Sequence, residues 1–165
     1  MNRILEESKV HIRTIVVPVD LSAVSEKTAS YAVGLARNFG ASIRFLHVFP
    51  PEAITEFTTG EVYEIYEREP SPVKERLAIF ANYIRQTYPR CQTEIRVGDA
   101  AEQTKLAALE LDADLIITAS YHPGFLDRLF GLEQAPRSVN CPSCPVMVYY
   151  DSNKCENMYV HPKAR

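Results

Sequence analysis

The chain has 165 residues, enough for one domain of ordinary size, and is 46% hydrophobic and 24% charged, a balance that supplies both a buried core and a wetted surface. Its formal net charge of −3 gives no general attraction to nucleic acid or to an anionic membrane. No apolar run approaches the roughly 18 residues that span a bilayer, and the opening MNRILEESKVHIR carries mixed charge with no continuous apolar stretch, unlike a secretory signal. The expectation is a cytoplasmic protein in which Cys91, Cys141, Cys144 and Cys155 are reduced thiols.

Residues 1–11 read as a polar leader. Thr14 to Asp20, TIVVPVD, is a β-branched run of the kind found in strands buried on both faces, with Pro18 near its end where a missing N–H costs least. Ser22 is placed to cap the helix that follows, in which Ala29, Ala32, Val33, Ala36 and Phe39 share one face and Gly40 supplies a left-handed stop. Ala41 to Phe49 is a second strand. The acidic, proline-flanked stretch 50–70 is long for a plain loop and has room for a short helix; insertions of this kind are often lids or contact surfaces. Ser71-Pro72 opens a helix whose buried stripe is Val73, Leu77, Phe80, Ala81, Ile84 and Tyr88. Cys91 to Val97 is a third strand. Asp99 and Glu102 form a capping box for a third helix running to about Leu111, and Asp114 to Thr118 is a fourth strand. Phe125 to Asn140 reads as a helix broken by Pro136. Pro145 to Tyr150 is the last strand, and 151–165 is a polar tail.

Strands alternating with helices in this way predict an α/β fold, a doubly wound five-stranded parallel sheet in a single domain spanning 12–150. Ligands of such sheets bind beyond the carboxyl ends of the strands, where the strand order reverses. The residues at those ends are Asp20, Val48, Gly98-Asp99 and Ala119-Ser120.

Several segments, in order, resemble the universal stress protein family: IVVPVDLSAVSEKTASYAVGLARNFGASIRFLHV, VGDAAEQTKLAALELDADLIITAS and CPSCPVMVYY. The combination is specific where each piece alone is weak. The resemblance implies a Rossmann-like, adenine nucleotide alpha hydrolase-like domain, and many members of the family bind ATP or AMP. Their phosphate fingerprint follows the fourth strand: a glycine, two residues, a second glycine, nine residues, then glycine with serine or threonine. Transferred here, the first glycine falls on Ala119, the second on His122, and the later pair on Leu132-Glu133. A shift of one recovers Gly131, but its neighbour is still Leu132, and Gly124 lies outside the spacing.

That departure has physical consequences. Glycine lets a backbone approach a phosphate and adopt positive φ, so that amides cradle the anion. His122 and Pro123 add bulk, Pro123 removes a donor, and Glu133 brings negative charge, with Arg128 the one cation between 119 and 133 to offset it. The expectation is a branch of the family with a degenerate ATP motif and weak or absent ATP binding. The adenine side is better kept. By resemblance, Asp20 contacts the nucleoside, backbone near Val48 meets adenine, and Gly98 lies against ribose. Each also has a structural reading, since Asp20 and Ser22 make a turn and Gly98-Asp99 a capped strand-to-helix connection. The candidate nucleotide contacts are therefore Asp20, Val48, Gly98, Ala119, Ser120, His122, Gly124 and Gly131.

Cys141 and Cys144 have CxxC spacing, but the pair runs into a strand rather than a helix start, which favours a structural role over a redox one. Cys141, Cys144, Cys155 and His161 form a set that tetrahedral zinc accepts; the family does not require one, and no metal is expected. His47 alternates with apolar neighbours and reads as a wall residue; His122 is the histidine placed to touch a ligand. There is no GxSxG elbow, HExxH or Walker loop, and no paired base and nucleophile, so a non-enzymatic module is expected. Strand 145–150 would leave a β-prone edge, and relatives pair that strand about a two-fold axis; a homodimer through it is expected. Three functions remain in play: a stress-response binding module without tight ATP affinity, an ATP- or AMP-holding switch, and a nucleotide hydrolase.

Overall fold

The structure is a computed structural model and describes residues 10–50, 72–119, 125–130 and 142–151. Among the described residues nine elements follow in order: β1 Thr14–Pro18, α1 Ala23–Phe39, β2 Ser42–Phe49, α2 Pro72–Thr87, β3 Cys91–Val97, α3 Ala100–Glu110, β4 Leu115–Ala119, α4 Phe125–Leu129 and β5 Val146–Tyr149. The strands form one parallel sheet in the order β3-β2-β1-β4-β5. This is the α/β, doubly wound architecture that the alternation of periods predicts.

Two apolar layers hold the sheet. On one side Ile15, Val17, Phe45 and Ile117 pack with Ala29, Ala32 and Ala36 of α1 and with Leu77, Phe80 and Ile84 of α2. Phe45 and Phe80 meet edge to face, their centroids 5.4 Å apart, a geometry that adds about 0.5–1.5 kcal/mol beyond burial. On the other side Val16, Leu46 and Ile116 pack with Ala107 and Ala108 of α3, and Phe125 and Leu129 of α4 pack on Ala101. Successive residues of β1 thus serve opposite layers, which is why the run is apolar without alternation.

Local chemistry fixes the helix ends. Ser22 accepts the Ser25 N–H at the start of α1, and Gly40 closes it with φ +67° and an N–H to the Ala36 carbonyl. Phe39 departs from the expected stripe and is 43% exposed. At about 100° per residue it stands about 60° round the helix from Ala36, on the flank of the buried face. In α2 the stripe holds at Leu77, Phe80 and Ile84, while Val73 and Ala81 are half-buried. Tyr88 is buried beyond the helix, its hydroxyl donating to the Ala41 carbonyl. The 50–70 stretch beyond Pro50, the Pro136 break and the 152–165 part of the tail lie outside the described residues.

Asp114 precedes β4 rather than beginning it. Its carboxylate accepts the Arg13 N–H at 2.8 Å and the Thr14 N–H at 3.0 Å, and its own N–H donates to the Thr14 carbonyl at 2.9 Å. This clasp sets the start of the β1–β4 pairing. The two backbone donors, Arg13 first, hold the Asp114 carboxyl below the ordinary carboxylate range. A depressed native pKa contributes stability above the unfolded value, and the contribution is lost as pH falls through the native one. Asp114→Ala is expected to cost roughly 1 kcal/mol at neutral pH, allowing for solvent screening. In denaturant titrations the gap from the parent protein should close on acidification below about pH 4; a gap independent of pH would contradict the clasp.

Candidate functional site

β1 lies between β2 and β4, and the connections leave it in opposite directions, so the strand order reverses at β1/β4. A cleft of about 520 Å³ opens there, beyond the carboxyl ends of the strands. Its walls include Val19 and Asp20 after β1, Val48 in β2, Gly98 and Asp99 after β3, and Ala119 ending β4.

The Asp20 corner is a hydrogen-bonded knot. Asp20 Oδ1 accepts the Ser22 N–H at 2.9 Å, Ser25 Oγ accepts the Asp20 N–H at 3.1 Å, and Ser22 Oγ accepts the Ser25 N–H at 3.2 Å. Between them Leu21 adopts φ +61°, a left-handed conformation that costs a non-glycine residue roughly 1–2 kcal/mol. Burial of its side chain and a hydrogen bond from Arg76 Nη2 to its carbonyl oppose that strain. The carboxylate is therefore held at the cleft by the same contacts that start α1. Its turn role and a ligand role are compatible rather than competing readings.

Val19 is fixed on both sides. Its N–H donates to the Leu46 carbonyl at 2.8 Å, and its carbonyl lies 2.8 Å from His47 Nδ1. His47 is buried and edge-on to Phe49, a wall residue satisfied by backbone.

Opposite, Gly98 takes φ +140°, and its N–H donates to the Phe49 carbonyl at 2.9 Å. Asp99 then caps α3, its Oδ1 accepting the Glu102 N–H at 3.0 Å. Its Oδ2 stands 3.3 Å from Nε of Arg128, which also lines the cleft. Lys105 Nζ donates to the Arg128 carbonyl at 3.1 Å, tying α4 to α3.

Asp20, Val48, Gly98 and Ala119 thus line one cleft. Ser120, His122, Gly124 and Gly131 lie outside the described residues, as do Cys141, Cys155 and His161. Cys144 is half-buried against the Val16–Leu46–Ile116 layer, where burial raises its thiol pKa. Cys91 is buried at the start of β3, with the same cause and direction. Among the described residues no group of three or more His, Cys, Asp or Glu is arranged to hold a metal ion, and no helix is long and apolar enough to cross a membrane.

In the sequence Arg128 reads only as a counter-charge and Phe125 and Ser25 carry no site signal, yet all three line the cleft. The spacing Phe125-x-x-Arg128 on one short helix was the available signal: a buried anchor with a charged residue one turn later. At Gly98 the demand on residue type is sharper. A Cβ there would sit 3.0 Å from Gln103 Nε2, in a region of φ that side chains rarely adopt. Gly98→Ala is expected to cost about 1–3 kcal/mol in chemical denaturation; an unchanged midpoint would show that the turn tolerates a side chain.

A sequence profile described as the universal stress protein family matches residues 11–149. Universal stress protein G of Escherichia coli O157:H7 is 27% identical over 140 residues, covering 82% of this chain and 97% of that protein. Among solved structures, the universal stress protein from Archaeoglobus fulgidus in complex with dAMP is 20% identical with a TM-score of 0.59, covering 84% of this chain and 98% of that one. A universal stress protein family protein from Arabidopsis thaliana with AMP bound is 14% identical with a TM-score of 0.56, covering 86% and 94%. These two are likenesses of fold. With the profile match spanning every strand of the sheet, the chain belongs to the universal stress protein family.

Proposed function

We propose that the chain is a non-enzymatic stress-response module of the cytoplasm, homodimeric, whose cleft takes the nucleoside end of an adenine nucleotide and holds a triphosphate only weakly. The observation that carries this reading is the gathering of Asp20, Val48 and Gly98 around one cleft at the strand-order reversal. Such a site is concave, largely apolar and edged by a few fixed polar groups. That relatives of the same fold carry dAMP and AMP supports the choice of ligand class.

The weak hold on a triphosphate rests on charge and bulk. Two carboxylates, Asp20 and Asp99, and one guanidinium, Arg128, are the charged side chains among the described lining residues. A phosphate charge 4 Å from a carboxylate is repelled by about 1 kcal/mol in water and about 4 kcal/mol near a protein surface. The sequence 119–133 substitutes His122 and Leu132-Glu133 for the glycines and hydroxyl that would receive the chain of phosphates. The non-enzymatic reading is supported by the same lining, whose described residues include no histidine, lysine or cysteine and whose Asp20 and Ser25 are engaged in the turn that starts α1.

The dimer reading rests on β5. It is the edge strand beside β4, and Tyr150 just after it is 63% exposed. Pairing with a second copy would cover both.

Equilibrium dialysis with AMP and ATP tests the proposal. ATP is expected to bind no more tightly than about 1 mM, equivalent to about 4 kcal/mol, with AMP bound better. Tight ATP binding would overturn it in favour of a triphosphate switch, and ATP hydrolysis lost in Asp20→Ala would overturn the non-enzymatic part. Sedimentation velocity on the same preparation should read a dimer; a monomer at tens of micromolar, a range where specific dimers persist, would remove the edge-pairing part.

A further inference from the structure

We infer that Arg128 is the specificity-determining residue of the cleft: its guanidinium, in place of a glycine-lined loop, receives the anionic group of the ligand and selects a nucleoside bearing one phosphate. The inference rests on the nucleoside-binding reading above and adds to it a named anchor and a preferred ligand charge.

Arg128 enters the cleft from a fixed base. Phe125 and Leu129 on either side of it in α4 are buried against Ala101, and its carbonyl accepts from Lys105. The side chain itself is half-exposed, and Nε is 3.3 Å from Asp99 Oδ2. The guanidinium donates no hydrogen bond among the described residues; its contact with Asp99 is an ion pair. A guanidinium presents its donors in a planar fork suited to two oxygens of one phosphate. Here Nε is the nitrogen given nearest Asp99, and the guanidinium's hydrogen-bonding fork is available to a ligand.

Asp99 has two roles in this arrangement. Through Oδ1 it caps α3, and its Oδ2, 3.3 Å from Nε of Arg128, offsets part of the guanidinium's charge and competes with a phosphate for it. A single phosphate would complete a row of carboxylate, guanidinium and phosphate. Further phosphates find no second cation among the described lining residues and bring added negative charge toward Asp99. The alternative role for Arg128 is a surface ion pair that only ties α4 to the start of α3. Exposed pairs of that kind contribute little to stability, and such a pair would leave ligand preference untouched.

Calorimetric titration of the full chain with adenosine, AMP and ATP separates the two roles. The parent protein is expected to bind AMP about tenfold more tightly than adenosine, the worth of a charged hydrogen bond at a half-exposed site, and ATP more weakly than AMP. Arg128→Gln should erase the advantage of AMP while leaving adenosine binding in place. Arg128→Lys should restore part of it. Asp99→Asn, which keeps a good cap and removes the competing charge, should tighten AMP binding several-fold. An AMP preference that persists in Arg128→Gln, or Asp99→Asn that leaves AMP affinity unchanged or lower, overturns the inference. If adenosine binds and AMP binds no better, the Arg128 assignment falls alone. If neither binds the parent protein, the nucleoside reading falls with it.

Discussion

The structure depends on β1 being buried on both faces. Ile15, Val16 and Val17 are fully buried, and alternate residues serve opposite helical layers. A charge within that run would have to leave water without a partner, at a cost of many kcal/mol. The first charged residue the strand can show is therefore the one at its exit, Asp20. Because β2 and β4 flank β1 and their connections depart to opposite sides, the exit opens into a cleft rather than under a helix. The position of the site follows from the burial of the strand.

The two ends of the sheet are electrically unlike. Helices that follow parallel strands direct their N-termini to the carboxyl end and their C-termini to the other, where partial negative charge gathers. At that far end the arginines serve the helix termini: Arg37 Nη2 donates to the Thr87 carbonyl at 2.7 Å, and Arg90 lies beside Gly40. A second cavity of about 340 Å³, with Arg44 and Arg90 in its walls, opens there, and Arg44 is near Glu94. At the cleft the pattern is inverted. The start of α3 already has a carboxylate cap in Asp99, and Arg128 is the cation that offsets it.

Much of this was legible in the residues because local chemistry and tertiary role agree. Ser22, Gly40 and Asp99 each do in the fold what their residue types predict, and the β1 run gave away its double burial. Asp20, Val48, Gly98 and Ala119 were found together because they end strands whose periodicity is clear. What the residues could not show depends on neighbours remote in the chain. Asp114 looks like the first residue of a strand, yet its carboxylate reaches the backbone of residues 13 and 14. Leu21 holds a positive φ that no local signal favours, stabilised by Arg76 from another helix. Phe39 fits an ideal stripe but stands where the helix has turned toward solvent. Arg128 becomes part of the site only because Phe125 and Leu129 anchor α4 against α3.

The central claim is that adenine nucleotides enter at the β1/β4 reversal with their phosphate on Arg128. The most direct measurement is an NMR titration of the isotope-labelled chain with AMP, following backbone amides and arginine side-chain signals. The account predicts shifts concentrated at Val19, Asp20, Val48, Gly98 and Asp99, with the Arg128 Nε signal moving alongside them. Shifts confined to the opposite end of the sheet, at Ser42, Gln92 and their neighbours, or to β5, with the cleft amides unmoved, would contradict it.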